Sequence, residues 1–172
     1  MKNLILIAIT LLIASCTGEP TLQSYFVEKS ESPDFLVTDI PASILKIKTD
    51  ALSSEQAEAL NSLDKLNVLI FKSDEKKSDL YAQEKETVQT ILKNPKYEEL
   101  MRMGSGVSGA TVYMKGNDNS VDEFVVFGHQ KNTGFTLVRV LGNKMKPEQL
   151  GDFLGALKNA DLDMEGLSNL LP

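Results

Sequence analysis

The sequence predicts an α+β fold: an antiparallel sheet with a C-terminal three- to four-strand meander, and helices packed on one face. Three observations lead there. Apolar residues recur at helical spacing in several segments bounded by cap or stop residues. Between residues 110 and 141, three short β-branched and aromatic runs are separated by turn residues, the spacing of a meander. The composition, 42% apolar and 24% charged, is that of a chain that can bury a core.

The first sixteen residues read as a signal rather than as structure. Lys2 gives a positive start, and Leu4 to Ile13 is an apolar run with no charge. That run is shorter than the about 20 residues a membrane-spanning helix needs. Ile13-Ala14-Ser15-Cys16 is a small-residue exit ending on the sole cysteine of the chain. An odd cysteine in an exported protein calls for an explanation, and lipidation supplies one. The expectation is that residues 1–15 are a lipoprotein signal peptide and that Cys16 carries palmitate-type acyl chains. Two or more such chains hold a protein at a membrane stably. Residues 16–21 form the lipidated N-terminus and tether, with Gly18 and Pro20 as breakers. Residues 22–172 form one domain, large enough to fold without disulfides.

The elements follow in order. Leu22 to Lys29 reads as an amphipathic helix with Leu22, Tyr25 and Phe26 on one face. Phe35 to Ile40 is a candidate strand. Pro41 suits the first turn of a helix over Ala42 to Ile47. Ser53 to Gln56 has capping-box form and should start a helix carrying Ala57, Leu60 and Leu63 inward. Val68 to Phe71 is a continuous apolar run, the pattern of a strand buried on both faces.

Lys76 to Lys93 is the longest helix candidate, with a stripe of Leu80, Val88, Ile91 and Leu92 and a stop at Asn94-Pro95. Tyr97 to Met103 fits strand or helix. Ala110 to Lys115, Glu123 to His129 and Phe135 to Leu141 are the meander strands. Pro147 to Lys158 is an amphipathic helix, with Leu150, Phe153, Leu154 and Leu157 spaced to lie across one face of the meander. The tail from Asp161 to Pro172 adds a turn of helix or frays.

These residues also carry a family resemblance. It runs through Tyr97-Glu98-Glu99-Leu100-Met101-Arg102, Val112-Tyr113-Met114-Lys115 and Glu123-Phe124-Val125-Val126-Phe127. It continues through Phe135-Thr136-Leu137-Val138-Arg139-Val140-Leu141-Gly142 and Lys146-Pro147-Glu148-Gln149-Leu150. In these blocks, and in the order of signal, lipobox and long helix, the chain resembles the domain-of-unknown-function 4252 family of Bacteroidota lipoproteins. The resemblance implies an exported lipoprotein with an α+β domain, and brings no activity or catalytic residues with it. The chain departs from the family pattern at Gly104 to Gly109, usually an acidic turn.

Candidate chemistry is sparse. Gly104-Ser105-Gly106-Val107-Ser108-Gly109 fits G-x-G-x-x-G, but a dinucleotide fingerprint needs a helix after it, and strand is expected there. A plain strand connection is the better reading. His129, the single histidine, has no serine elbow or free thiol to complete a triad and reads as a polar residue at a hairpin. One histidine and an acylated cysteine cannot make a zinc site. Glu98-Glu99, Asp122-Glu123 and the acids of Asp161 to Glu165 lack the spacing of a glycosidase pair or a calcium loop, and read as solvated charge. Lys76-Lys77 reads as an exposed helix start. No catalytic residue, cofactor or metal is expected.

Net charge is −6 with no basic stretch, which disfavours nucleic acid. The expected partners are a membrane, through lipid on Cys16, and an envelope protein. By resemblance to outer-membrane lipoproteins, the lack of Asp at position 17 implies the outer membrane, facing the periplasm. The leading functional expectation is a non-catalytic cell-envelope lipoprotein with a protein-binding, structural or signalling role. The alternatives are a carrier of a small apolar ligand or lipid and, third, a hydrolase.

Overall fold

The computed structural model describes residues 19–44 and 53–152. Helix α1 (Leu22–Lys29) starts at a capping box. The Thr21 hydroxyl accepts from the Ser24 N–H at 3.1 Å, and the Ser24 hydroxyl accepts from the Thr21 N–H at 3.0 Å. It buries Leu22, Tyr25 and Phe26, the expected face. Strand β1 (Phe35–Pro41) follows. Pro41 does not open a helix; it ends the strand, and a single 3-10 turn, Ala42–Ile44, comes after it. An edge strand tolerates proline, because a missing N–H leaves no ladder bond broken on its open side. The rest of the expected Ala42 to Ile47 helix lies outside the described residues.

Helix α2 (Ser54–Asn61) has the expected box between Ser53 and Gln56. It buries Ala59, with Ala57 and Leu60 half-buried. Leu63, expected on this helix, instead opens β2 (Leu63–Lys72), because pairing with β1 and β6 overrides the helical period. In β2, Leu69 and Phe71 are buried while Val68 and Ile70 are half-buried, so the run from Val68 to Phe71 is fully covered on one face only. A 3-10 turn, Glu75–Lys77, is capped by Asp74 and leads into α3 (Ser78–Leu92). The buried stripe of α3 is Tyr81, Glu84, Val88, Ile91 and Leu92.

Glu84 occupies an apolar position for a reason. Its two oxygens accept from the Tyr25 hydroxyl at 2.9 Å and from Lys29 Nζ at 2.8 Å, which ties α3 to α1. Every lone charge in the stripe is thereby partnered, as burial requires.

Four strands complete the chain: β3 (Glu98–Gly104), β4 (Ser108–Asn117), β5 (Ser120–Gln130) and β6 (Gly134–Met145). The ambiguous Tyr97 to Met103 segment is therefore strand. Strand β6 runs past its expected end at Leu141, because Leu63 pairs with Gly142 and the Asn143 N–H bonds Ser62 O at 2.8 Å. The sheet order is β1-β2-β6-β5-β4-β3, and every neighbouring pair is antiparallel. Strands β3 to β6 are the expected meander, in its four-strand form.

The pleat divides the core in two. On one face, α1 and α3 cover Leu69, Phe71, Val125, Phe127, Phe135 and Leu137. On the other, Leu66, Val112, Met114, Phe124 and Val140 gather with Leu60 of α2 and with Leu150. Leu150 lies in a helical turn beginning at Gln149, which follows the C-terminal helix expectation as far as Asp152. Residues beyond that, including the Asp161 to Pro172 tail, lie outside the described residues, as do Met1 to Gly18 with Cys16.

Candidate functional site

One row of the α3-covered face sets up the site. Phe35 is paired with Phe71, Phe71 with Phe135, Phe135 with His129 and His129 with Gly109. Phe135 stacks on Phe71 and Phe35 packs tilted against it, with centroids 5.3 and 5.0 Å away. The row therefore runs aromatic, aromatic, aromatic, imidazole, and then no side chain at all. Beyond it β4 presents Thr111, opposite Phe127. Bulky residues support α3 over the middle of the sheet, and towards β4 the smaller His129 and Thr111 border an opening beside the helix.

Two adjoining hollows result. One of about 310 Å³ is lined by Tyr97, Glu99, Arg102, Tyr113, Phe127 and His129. The other, of about 470 Å³, is lined by Tyr81, Lys85, Glu86, Gly106, Lys131 and Asn132. Gln89 of α3 and Lys93, which caps its C-terminus, border both, so the hollows form one trough along the helix. Their volumes fall in or near the range of small-molecule sites.

Lys85 and His129 meet where the hollows join, Nζ to Nδ1, at 3.3 Å. A protonated Lys85 donates, so Nδ1 accepts and the imidazole proton resides on Nε2. Burial, then the charges of Lys85 and Arg102, hold the His129 imidazole below its ordinary value. Burial likewise lowers the Lys85 ammonium. Among the described residues no carboxylate forms an ion pair with Lys85. Lys85 also stands 5.8 Å from the Tyr81 ring centroid. The Tyr81 hydroxyl is buried without a hydrogen-bond partner among the described residues. Arg102 is engaged by Glu99, with Nε to Oε1 at 2.8 Å.

A second polar cluster lies under α1. Arg139 Nε donates to Glu123 Oε1 at 2.6 Å, Nη2 to Glu123 Oε2 at 3.3 Å, and Nη1 to Gln23 at 2.8 Å and Asn67 at 3.3 Å. Asn67 in turn donates to Asp39. Glu123 is 2% exposed and Arg139 5%. This overturns the reading of Glu123 as solvated charge. Glu123 reaches the covered face by strand alternation with Val125 and Phe127, as Arg139 does with Phe135 and Leu137, and the β-bulge between Val121 and Glu123 puts Val121 on the opposite face. Each guanidinium nitrogen and both carboxylate oxygens of the pair are engaged, so the cluster positions α1 on the sheet. A signal existed: Arg139 between Val138 and Val140 is a charge inside an apolar run.

The remaining candidates separate. Glu98, Glu99 and Asp122 are exposed as read. Lys77 pairs with Asp34 at 2.7 Å at the start of α3. Asp161 to Glu165 lie outside the described residues. Gly104 to Gly109 connects β3 to β4, a strand connection with no helix after it. His129 ends a strand beside a turn as expected, but its contact with Lys85 joins residues 44 positions apart and carries no sequence signal. Among the described residues, no three His, Cys, Asp or Glu side chains are grouped as metal ligands would be, and no helix is long and apolar enough to cross a membrane.

Fold and cleft together define a small α+β domain, a six-stranded antiparallel sheet with two helices laid over one face. The chain belongs to the family described as Domain of unknown function (DUF4252), whose model matches residues 25–153. No curated protein matches the sequence significantly. Among solved structures, a crystal structure of the Pseudomonas aeruginosa protein PA94, of unknown function and a candidate regulator, is similar at 12% identity. It covers 72% of this chain and 76% of its own, with a TM-score of 0.30. That likeness is too slight to carry over any property.

Proposed function

We propose that the protein is a non-catalytic lipoprotein of the cell envelope, anchored at the outer membrane by acyl chains on Cys16 with its domain in the periplasm. There it serves a protein-binding, structural or signalling role. The observation that supports this is how soon after Cys16 the chain docks. Glu19 Oε2 accepts from Asn94 Nδ2 at 3.0 Å, and Pro20 and Thr21 lie in a groove with Ile91, Lys96, Tyr97 and Lys115. Only Thr17 and Gly18 separate Cys16 from that contact. At about 3.5 Å per extended residue, acyl chains on Cys16 would hold this end of the domain about 10 Å from the bilayer. The sheet and the trough would then keep a fixed attitude to the membrane, as a recognition module requires.

The layer between the sheet and α1 and α3 is filled by Leu22, Leu69, Phe71, Val88 and Phe127, each at most 2% exposed. This supports recognition at the surface over carriage of an apolar ligand inside that layer. The test is metabolic labelling with a fatty-acid analogue. Wild-type protein takes up label and Cys16→Ser does not; an unlabelled wild type, or label surviving the substitution, refutes the anchor.

A further inference from the structure

The trough beside α3 is an odd feature on a chain of net charge −6. Lys85, Lys93 and Lys131 border the larger hollow against one carboxylate, Glu86. Arg102 borders the smaller one with its partner Glu99. Lysine and arginine are donors only. The hydroxyls of Ser73 and Ser78 and the Gln89 amide line the same wall. The buried Tyr81 hydroxyl has no acceptor among the described residues. Leaving such a donor unmet is costly. Lys85 faces the only histidine instead of an acid, so two groups that can both carry positive charge are held together, and among the described residues no carboxylate forms an ion pair with Lys85. Clustering of that kind, in a concave site, is characteristic of ligand-binding surfaces. The wall thus sets three ammonium groups against one carboxylate, with hydroxyls and an amide that can donate beside them, and an anionic occupant would balance it.

We propose that this trough binds a small organic phosphate monoester. Its phosphate would lie among Lys85, Lys93 and Lys131, and its organic body in the smaller hollow against Tyr97, Tyr113 and Phe127. Phosphate offers oxygen acceptors on every side and a charge of nearly −2 at neutral pH. The combined hollows suit a ligand of small-molecule size. Recognition does not run through the G-x-G-x-x-G loop as a fingerprint. Gly106 only borders the cleft, and a Cβ there would meet nothing within 4 Å. The site also does not depend on acylation of Cys16, so either proposal can fail alone.

His129 provides the readout, because a chain with one histidine gives a single imidazole in proton–nitrogen spectra. The groups facing it are Lys85 from α3 and Arg102 from β3, with Lys93 and Glu99 bordering the same hollow. The full-length protein in non-ionic detergent is titrated with phenyl phosphate across pH. The expected result is a saturable shift of the His129 signals and a rise in its pKa, since a bound dianion favours imidazolium. Lys85→Met keeps an apolar stem against Tyr81 and should weaken binding about tenfold or more, the scale of a lost charged hydrogen bond. Lys131→Met, at an exposed position, should weaken it as well and serves if Lys85→Met folds poorly. Lys115→Met, in the groove beside Glu19, should change nothing. No saturable shift, equal affinity in the Lys85 and Lys131 variants, or a response only to vesicles containing phosphatidic acid overturns the proposal.

Discussion

At the scale of single residues, the Arg139–Glu123 pair shows how a charge can be placed inside a sheet protein. Burying either ion alone would be prohibitive. Here the guanidinium makes its bonds to Glu123, Gln23 and Asn67 and lies 5.4 Å from the Phe26 ring, so each polar atom has a partner. Replacing it leaves Glu123 buried and unpaired. Arg139→Met should lower stability by about 3–5 kcal/mol, measured as a shift in the urea unfolding curve. Adding Glu123→Leu should recover much of that loss, because the uncompensated charge goes with it. If the single variant unfolds at the wild-type urea concentration, the pair is not buried as described.

At the scale of elements, the strand ends are decided by close approach of backbone. Gly134 opens β6 at φ +126°, and a Cβ there would stand 1.8 Å from Phe71 O. Neither the dihedral nor the space admits a side chain. Gly134→Ala should therefore cost about 3 kcal/mol, read from the thermal midpoint. An unchanged midpoint would mean that β2 and β6 are not in the register that pairs Lys72 with Gly134. The helices obey more local rules. Both α1 and α2 begin at the capping boxes their sequences spell, Thr21 with Ser24 and Ser53 with Gln56.

At the scale of the whole molecule, the sheet joins distant parts of the chain. Strand β2 pairs with β6 across the entire α3 and β3 to β5 sequence. Such non-local pairing favours slow folding and a single cooperative unit. The four tyrosines of the chain, Tyr25, Tyr81, Tyr97 and Tyr113, report on that unit. Burial raises the phenol of each above its ordinary value of 10, and Tyr97 reaches about 12, helped by the Glu123 charge. The unfolded chain therefore loses these protons first. The stability they contribute is complete below pH 10 and is lost as pH rises from 10 towards 12. Phenolate absorbance should rise together with the loss of far-ultraviolet ellipticity above pH 10. Four phenols ionising near pH 10 with the sheet intact would contradict the packing.

Much of the fold was legible in the sequence because it rests on local rules. Period, capping and turn residues located α1 to the residue, the start of α2, the body of α3 and the strands of the meander. Expectations failed where a distant partner outbid a local preference. Leu63 left a helix for β2, Pro41 ended an edge strand, and β6 grew past Leu141 to meet Ser62 and Leu63. The candidate site was the least legible part. Lys85, Lys131 and His129 are each unremarkable in the sequence, and only strand register and the placement of α3 bring them to one trough. The sequence by itself determined the family, the α+β class and the order of elements, since these follow from spacing along the chain. The tertiary structure alone decided which charges are buried in pairs and which stand together without an acid, because that depends on which strands lie side by side.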